Sequence, residues 1–386
     1  MDNLVIESGT ASVNKHDESL CGDFYDVYRE QGGLTAVLSD GLGSGVKANI
    51  LSTLTVNILS TLIRHNLTVQ ECVETVASTL PVCKERRLAY STFTVAQVRD
   101  GQARLLQYDN PHAILLRNGK NVDYPYSVHF IGTKEIHESK IFLQENDVLV
   151  LMSDGVTNAG IGKLMADGWP REDIIRNLEQ WYTPDLSARR LTAQLVNACV
   201  ALCEDSPDDD ITALALKLRS RKAVNVMIGA PANADEDDRI LRLFFKKEGK
   251  HVVCGGTTAK IVGRYLRKPV LPVPESGTDE VPTIASIEGV DLATEGVITL
   301  RLLEALARRY LEDARVSLEI QGKKDGVSLL AELLFEHATD ISIFFGQAIN
   351  QGNDDAAIDM VAKHTLMEKL TKSLTEMGKN VKISLC

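Results

Sequence analysis

The sequence is poor in cysteine and aromatic residues, and no part of it is a long hydrophobic run. Its seven cysteines are scattered, their number is odd, and no CxxC pair occurs. We therefore expect neither a disulfide framework nor a cysteine-based zinc site, and a reduced, cytoplasmic protein is the simplest interpretation. No segment approaches the roughly 20 apolar residues of a membrane span, and the first residues lack a signal-peptide pattern, so we expect no membrane partner.

Positive charge is also scarce. The 42 Lys and Arg residues face 53 Asp and Glu residues, which leaves a formal net charge of −11. Proteins that bind nucleic acid need clustered Lys and Arg, so we expect no nucleic-acid partner, whereas an acidic excess is compatible with bound cations. At 386 residues the chain exceeds the size that one hydrophobic core usually serves, and two domains are expected.

A strand, a glycine-rich turn and a helix are predicted around Asp40. The apolar run 34–38 enters Ser39-Asp40-Gly41-Leu42-Gly43-Ser44-Gly45, and apolar residues then recur at helical spacing from Val46 to Ile63. The helical positions singled out are Leu51, Leu54, Ile58 and Leu62. Asp-Gly alone is first of all a turn dipeptide, but a glycine-rich turn also lets a ligand approach the main chain closely.

Carboxylates stand at the ends of three further segments. The apolar run 148–152 leads into Ser153-Asp154-Gly155, Asp208-Asp209-Asp210 precedes the apolar run 213–216, and Gly22-Asp23 lies early in the chain. Each could be only a surface turn. Their recurrence at strand ends, where functional sites are usually built, favours a common site.

Several carboxylates brought together repel one another unless cations are bound between them. Aspartate with backbone carbonyls and water is the oxygen ligand set that suits Mg²⁺ or Mn²⁺, and no His-rich or Cys-rich alternative occurs. Two such ions lower the pKa of water and neutralise phosphoryl oxygens. We therefore expect metal-assisted hydrolysis with an activated water, and no side chain, as the nucleophile. No GxSxG or GxxxxGK[ST] motif offers another chemistry.

The order of elements differs between the two halves of the chain. The first half reads as strands, two helices, more strands, two helices and a last strand, which predicts antiparallel sheets in a sandwich with helices outside. Beyond the basic bridge 218–222, strands and helices alternate, with a strand expected at 283–287 and helices at 257–267 and 294–314; this is the pattern of an α/β domain. We place the domains at 1–220 and 221–386.

The four motifs in this order resemble those of the SpoIIE-type branch of the PP2C (PPM) serine/threonine phosphatases over about residues 1–218. The resemblance implies an αββα sandwich and a centre of two Mn²⁺ or Mg²⁺ ions that hydrolyses phosphoserine or phosphothreonine on a partner protein. It implies that Asp40 bridges the metals, with Gly41 contributing its carbonyl. Asp154 and Asp209 would complete one ion's ligands, Asp23 would bind the other, and Asp210 would act from outside the ligand set.

The resemblance does not extend to the residue that binds the phosphate of the substrate. The arginine with which eukaryotic-type members grip phosphate has no evident counterpart here. Lys15, close to Gly22-Asp23 in the sequence, is a candidate substrate contact, although a solvated loop lysine is the simpler interpretation. A catalytically weak pseudophosphatase that acts as a sensor or scaffold is therefore the alternative function.

The C-terminal domain, 221–386, is expected to regulate or recruit, with a small-molecule or protein ligand. Cys254-Gly255-Gly256-Thr257-Thr258 lies between a predicted strand and a predicted helix. A helix N-terminus with free N–H groups can bind an anion, but a capped turn without a ligand would have the same sequence pattern. The sequence leaves both interpretations, and a homodimer, open.

Overall fold

The structure is a computed structural model that describes residues 3–30, 32–65, 67–79, 91–132, 134–348 and 356–386. Pro81, which was expected to end the second helix, lies outside the described residues. The chain divides into two compact units, Met1–Ser220 and Arg221–Cys386. Each unit has its own sheets and its own hydrophobic core.

The first unit contains two antiparallel sheets. One has five strands in the order β1-β11-β10-β6-β7 and the other has six in the order β2-β3-β4-β5-β9-β8. The strands of the first are β1 Leu4–Val13, β6 Ile114–Arg117, β7 Lys120–Asn121, β10 Val148–Met152 and β11 Ile211–Ser220. Those of the second are β2 Asp23–Glu30, β3 Gly33–Asp40, β4 Phe93–Arg99, β5 Gln102–Tyr108, β8 Ser127–Ile131 and β9 Lys134–Phe142.

Apolar side chains of both sheets form a common core, in which Leu38 of β3 belongs to the same cluster as Leu151 of β10 and Leu214 of β11. Helices cover the outer faces, because α1 and α2 bury apolar residues against the six-stranded sheet and α5 packs on β1 and β11. The predicted αββα sandwich is confirmed. Its helices are α1 Gly45–Arg64, α2 Val69–Thr79, α3 Asp154–Thr157, α4 Arg171–Trp181 and α5 Ala188–Leu202.

Helix α1 is long and apolar enough to pass a length-and-composition test for a membrane span. One of its sides is nevertheless buried in the sandwich through Ala48, Thr55 and Leu59. Leu54, one of the residues that recur at helical spacing in the sequence, is 43% exposed. At 100° per residue it lies about 120° around the helix from that buried stripe.

The second unit is built on a seven-stranded sheet in the order β14-β15-β16-β13-β12-β17-β18. The five strands from β16 to β18 pair in parallel, and β14 and β15 form a short antiparallel edge. The strands are β12 Ala223–Ile228, β13 Lys250–Cys254, β14 Leu271–Pro272, β15 Ala285–Ser286, β16 Leu292–Thr294, β17 Asp340–Phe345 and β18 Asn380–Leu385.

Helices cover both faces of this sheet. Apolar residues of α6 and α7 pack on one face with Met227, and those of α8, α10 and α11 pack on the other with Val226. The α/β prediction for this half is therefore correct in class. The helices are α6 Asp237–Lys246, α7 Gly256–Leu266, α8 Val297–Glu312, α9 Val316–Ile320, α10 Gly326–Ala331, which continues as a π-helical turn to His337, and α11 Ala356–Glu376.

The third parallel strand was misplaced by the sequence pattern. The run 283–287 was expected to form it, but only Ala285–Ser286 pairs there, at the antiparallel edge. The strand beside β13 is Leu292–Thr294, at the point where a helix was expected to begin. Three residues are too few to show the alternation of a strand in the sequence. They are recognised as a strand because they pair in parallel with β13.

Candidate functional site

Asp23 and Asp40 face each other at one end of the six-stranded sheet. Asp23 begins β2, Asp40 ends β3, and the two are directly paired in the antiparallel register. Directly opposite residues of such a pair hold their Cβ atoms about 4.5–5.5 Å apart. The register of one hairpin thus places two of the predicted carboxylates side by side.

Asp154 and Asp209 lie in two turns of the five-stranded sheet that pack tightly together. Asp154 opens α3 directly after β10, and Asp209 precedes β11, the neighbour of β10. A Cβ on Gly155 would lie 2.0 Å from the carbonyl oxygen of Asp210, so only glycine permits this approach. The N–H of Ser153 also donates to the carbonyl of Thr212 over 3.0 Å.

Asp210 joins the turns of the two sheets. One of its carboxylate oxygens accepts a hydrogen bond from the N–H of Lys15 at 3.0 Å, and the other accepts one from the N–H of Gly22 at 2.8 Å. The N–H of Gly41 in turn donates to the carbonyl of Gly22 over 3.2 Å. With both oxygens occupied by backbone N–H groups, Asp210 holds the segments that carry Asp23 and Asp209 together.

The carboxylate of Asp23 is buried without a hydrogen-bond partner. The residue is 4% exposed, and neither carboxylate oxygen is hydrogen-bonded within the described part of the chain. The hydroxyls of Ser153 and Thr212 lie near enough to this carboxylate to lower its pKa. The hydrogen bonds of these two hydroxyls go elsewhere, since Thr212 pairs with Ser12 at 2.8 Å and Ser153 accepts from the N–H of Thr212 at 3.0 Å. A buried, unpartnered carboxylate is costly and fits a position that a cation would satisfy.

Electrostatics links the four aspartates. Burial, and then the charges of Asp23 and Asp154, raise the pKa of Asp40. Burial also raises the pKa of Asp23, to which the charge of Asp154 adds. Burial and the charge of Asp154 raise the pKa of Asp209 to about 6. Carboxylates whose ionised forms disfavour one another are the condition that bound divalent cations relieve.

Gly41 follows Asp40 at a point where the chain has no room for a side chain. A Cβ there would lie 2.0 Å from the carbonyl oxygen of Ala48 in α1. Ser91 fixes the same corner, because its hydroxyl donates to the carbonyl of Asp40 over 2.8 Å and its backbone bridges to Gly41. The main chain beside Asp40 is therefore held closely against the start of the helix.

The donor chemistry of this region fits Mg²⁺ or Mn²⁺, because carboxylates and main-chain carbonyls are hard oxygen ligands. Within the described ranges, no three His, Cys, Asp or Glu side chains are gathered into a ready-made metal cluster. The ligand roles given to Asp23, Asp40, Gly41, Asp154 and Asp209 stay predictions.

The sequence analysis singled out Lys15 beside the carboxylates, but it did not single out the hydroxyl groups near Asp23. Lys15 donates its N–H to Asp210, and its positive charge lowers the pKa of Asp209, so it lies beside the carboxylates as the sequence suggested. The hydroxyls of Ser12, Ser153 and Thr212 near Asp23 were missed as a group. Ser153 and Thr212 lie inside the aspartate motifs, which was the available signal, whereas Ser12 had none.

We expect the free energy of unfolding of the chain in EDTA to fall as the pH rises from about 4 to about 9. The unfolded-state pKa of an Asp is near 3.8, and the folded-state values of Asp23, Asp40 and Asp209 are raised. Their stabilising contribution is therefore complete below the unfolded value and is lost as pH rises through the folded values. Urea unfolding of the wild type and of D40N measures it. If the free energy of unfolding fell as steeply with pH in D40N as in the wild type, the raised pKa assigned to Asp40 would be wrong.

Comparison with known proteins agrees with this organisation. Residues 30–219 match the family model of stage II sporulation protein E (SpoIIE). The chain is 23% identical over 221 residues to the stage II sporulation protein E of Priestia megaterium, a match that covers 56% of this chain and 37% of that protein. The chain thus spans little more than a third of the length of this relative.

Two solved structures are similar to this chain. The PP2C phosphatase domain of SpoIIE from Bacillus subtilis, with a fragment of its regulatory domain, is 18% identical and has a TM-score of 0.48, covering 57% of this chain and 64% of that one. The RsbU and RsbW domains of a Mycobacterium tuberculosis protein are 18% identical with a TM-score of 0.47, covering 63% and 69%. The family model and the curated relative support the SpoIIE-type branch, which the order of the aspartate motifs suggested, for residues 30–219 of this chain.

Proposed function

We propose that the first unit is a metal-dependent protein phosphatase that hydrolyses phosphoserine or phosphothreonine on a signalling partner in the cytoplasm. The observation that carries this proposal is the carboxylate of Asp23, which is buried, without a hydrogen-bond partner in the described part of the chain, and paired in register with Asp40. The match of residues 30–219 to the SpoIIE family model supports the same activity. The group that the site would bind is the dianionic phosphate ester of a phosphoserine or phosphothreonine side chain on the partner protein.

The residues divide into ligands and supports. Asp23, Asp40, Asp154, Asp209 and the Gly41 carbonyl would hold two Mn²⁺ or Mg²⁺ ions. When bound, such ions lower the pKa of water and neutralise the charge of a phosphoryl group. Supporting residues set the distances between ligands, because Asp210 ties the Lys15 and Gly22 backbones to the turn before β11 and Gly155 lets that turn approach Asp154.

Lys15 is the proposed cationic contact for the phosphate. Its charge already acts on Asp209, and its main chain is fixed by Asp210. An ammonium on a flexible stem is a point charge and lacks the bidentate fork of an arginine. We expect binding of a free phosphopeptide to be weak, with recognition resting on the partner protein as a whole.

Metal removal tests the proposal. The 386-residue chain is assayed with Mn²⁺ for release of phosphate from p-nitrophenyl phosphate and from a phosphoserine peptide, then again after EDTA and after Mn²⁺ is restored. We expect the rate to fall by at least about a hundredfold in EDTA and to recover, since the charge stabilisation that the ions supply is worth several kcal/mol. Circular dichroism before and after EDTA is the control for folding. No hydrolysis with Mn²⁺ or Mg²⁺ by folded protein would contradict the activity.

A metal-binding pseudophosphatase is the second candidate, and the lack of a counterpart to the phosphate-gripping arginine favours it. Calorimetric titration with Mn²⁺ beside the activity assay separates the two functions. Heat of binding with turnover supports the phosphatase. Heat of binding without turnover on any phosphoprotein or phosphopeptide supports the sensor or scaffold.

A further inference from the structure

The second unit has the strand order in which open parallel sheets bind ligands. Along the chain its parallel strands are β12, β13, β16, β17 and β18, and in space they lie in the order β16-β13-β12-β17-β18. The chain therefore moves outward on one side of β12 and, after β16, returns to the other side. Ligands of such sheets bind beyond the carboxyl ends of the strands, where this direction reverses.

A cavity of about 210 Å³ lies at this position. It is bounded by the last residues of β12, β13 and β17 and by the segment that follows β16. Glycines form much of its polar wall, so the main chain is accessible there. The five glycines that line it are Gly229, Gly255, Gly256, Gly296 and Gly346.

Two helices begin at the cavity, and only one of them has a side-chain acceptor at its first turn. The N–H groups of Ile298 and Thr299 in α8 donate to the carboxylate of Glu295, at 3.0 and 3.4 Å. Helix α7 is preceded by Gly255, which offers no side chain as a cap. The first N–H groups of α7 have no acceptor inside the helix, and a Cβ on Gly256 would meet nothing within 4 Å.

A buried hydroxyl points to a ligand independently of that helix end. Thr258 lines the cavity and is 1% exposed, and its hydroxyl has no hydrogen bond within the described part of the chain. The hydroxyl is not among the fully enclosed polar atoms that lack a partner, so it is reachable from the cavity and available to a ligand. Lys363 adds a positive charge to the lining and Glu295, whose carboxylate caps α8, adds a negative one; Leu300, Phe345 and other apolar residues form another part of the wall.

We propose that this cavity binds a small phosphorylated metabolite, with its phosphate on the N-terminus of α7 and the Thr258 hydroxyl and its less polar part against Phe345 and Leu300. A phosphate accepts several hydrogen bonds from free N–H groups and is favoured at the positive end of a helix. Lys363 supplies a counter-charge. The second unit is thus a sensor domain for a mononucleotide or a similar phosphate ester, independent of catalysis in the first unit.

The test measures binding to the full-length chain in EDTA, so that divalent ions do not contribute. The probes are inorganic phosphate, AMP and adenosine, by calorimetry and thermal shift. We expect AMP to bind and to raise the melting temperature by about 2–4 °C at saturation, phosphate to bind more weakly, and adenosine not to bind measurably. Binding of adenosine equal to that of AMP, or no binding of phosphate and AMP at millimolar concentration, would overturn the proposal.

Three variants locate the site. G256D places a carboxylate at the first position of α7, where it favours the helix but competes with phosphate; we expect loss of AMP binding with an unchanged or raised melting temperature. T258V should weaken binding about threefold to tenfold, and T258S should restore it. A T258V variant with wild-type affinity, or G256D with retained affinity, would contradict the assigned contacts.

Two controls separate this site from the rest of the molecule. Q321E adds the same negative charge at an exposed residue outside the cavity lining and should bind AMP as the wild type does. D40N alters the first unit and should also leave AMP binding unchanged. If D40N abolished it, the probe would occupy the aspartate site and the proposal would fail, whatever the outcome of the phosphatase assay.

Discussion

Replacing Asp40 by asparagine is expected to lower Mn²⁺-dependent hydrolysis of p-nitrophenyl phosphate by at least about a thousandfold, which corresponds to about 4 kcal/mol in the barrier. Asp40 is paired with Asp23 and lies in the field of Asp154. An amide of the same shape removes the central negative charge of this group without changing its volume. The ratio of kcat/KM values between the wild type and D40N measures the effect.

The same substitution should stabilise the protein in EDTA. Burial and its neighbours disfavour the ionised form of Asp40, so the neutral amide removes an unfavourable charge at neutral pH. We expect a gain of about 1–3 kcal/mol in the free energy of unfolding near pH 8. D123N, at an exposed aspartate, is the matched control and should change neither quantity. Wild-type activity in D40N would contradict the proposed centre, and a loss of stability would contradict the electrostatic account.

Replacing Gly41 by alanine is expected to destabilise the first unit by about 3 kcal/mol or more. The added Cβ would lie 2.0 Å from the carbonyl oxygen of Ala48 and 2.6 Å from its carbonyl carbon. Both atoms belong to the backbone of α1, so the helix must move away from β3. Urea unfolding followed by circular dichroism measures the change.

G256A is the matched control for this prediction. It makes the same chemical change at a glycine where a Cβ meets nothing within 4 Å, and we expect its stability to equal or slightly exceed that of the wild type. If G41A unfolded at the same urea concentration as the wild type, the close approach between the turn after β3 and helix α1 would be wrong. Loss of phosphatase activity in a stable G41A would instead place the effect in the carbonyl of residue 41.

The four aspartate motifs were readable because each is a local pattern. A wholly apolar run such as 148–152 must be buried, and the polar residue that ends it must lie at the edge of the sheet. The sandwich followed from the order of strands and helices for the same reason. The pattern did not show that Asp23 would be buried without a partner among the described residues, because this depends on where Ser12, Ser153 and Thr212 direct their hydroxyls.

In the second unit, some features follow from local sequence patterns and others depend on contacts between distant segments. Its class followed from alternating helical and strand patterns, but the three-residue strand β16 was recognisable only after it paired with β13. From the sequence, segment 254–258 was compatible with an anion site, but a simple capped turn was the preferred interpretation. The strand order, the cavity and the Thr258 hydroxyl that lines it support the ligand site proposed above, and all three depend on contacts between segments far apart in the chain.

By itself, the sequence determined which residues are carboxylates at strand ends and which fold class each half adopts, because burial periodicity and turn chemistry act over a few residues. Only the tertiary structure decided that Asp154 and Asp209, 55 positions apart in the printed sequence, lie in packed neighbouring turns beside Asp23 and Asp40. Pairing between distant strands brings these charges together, and burial in the resulting sandwich raises their pKa values.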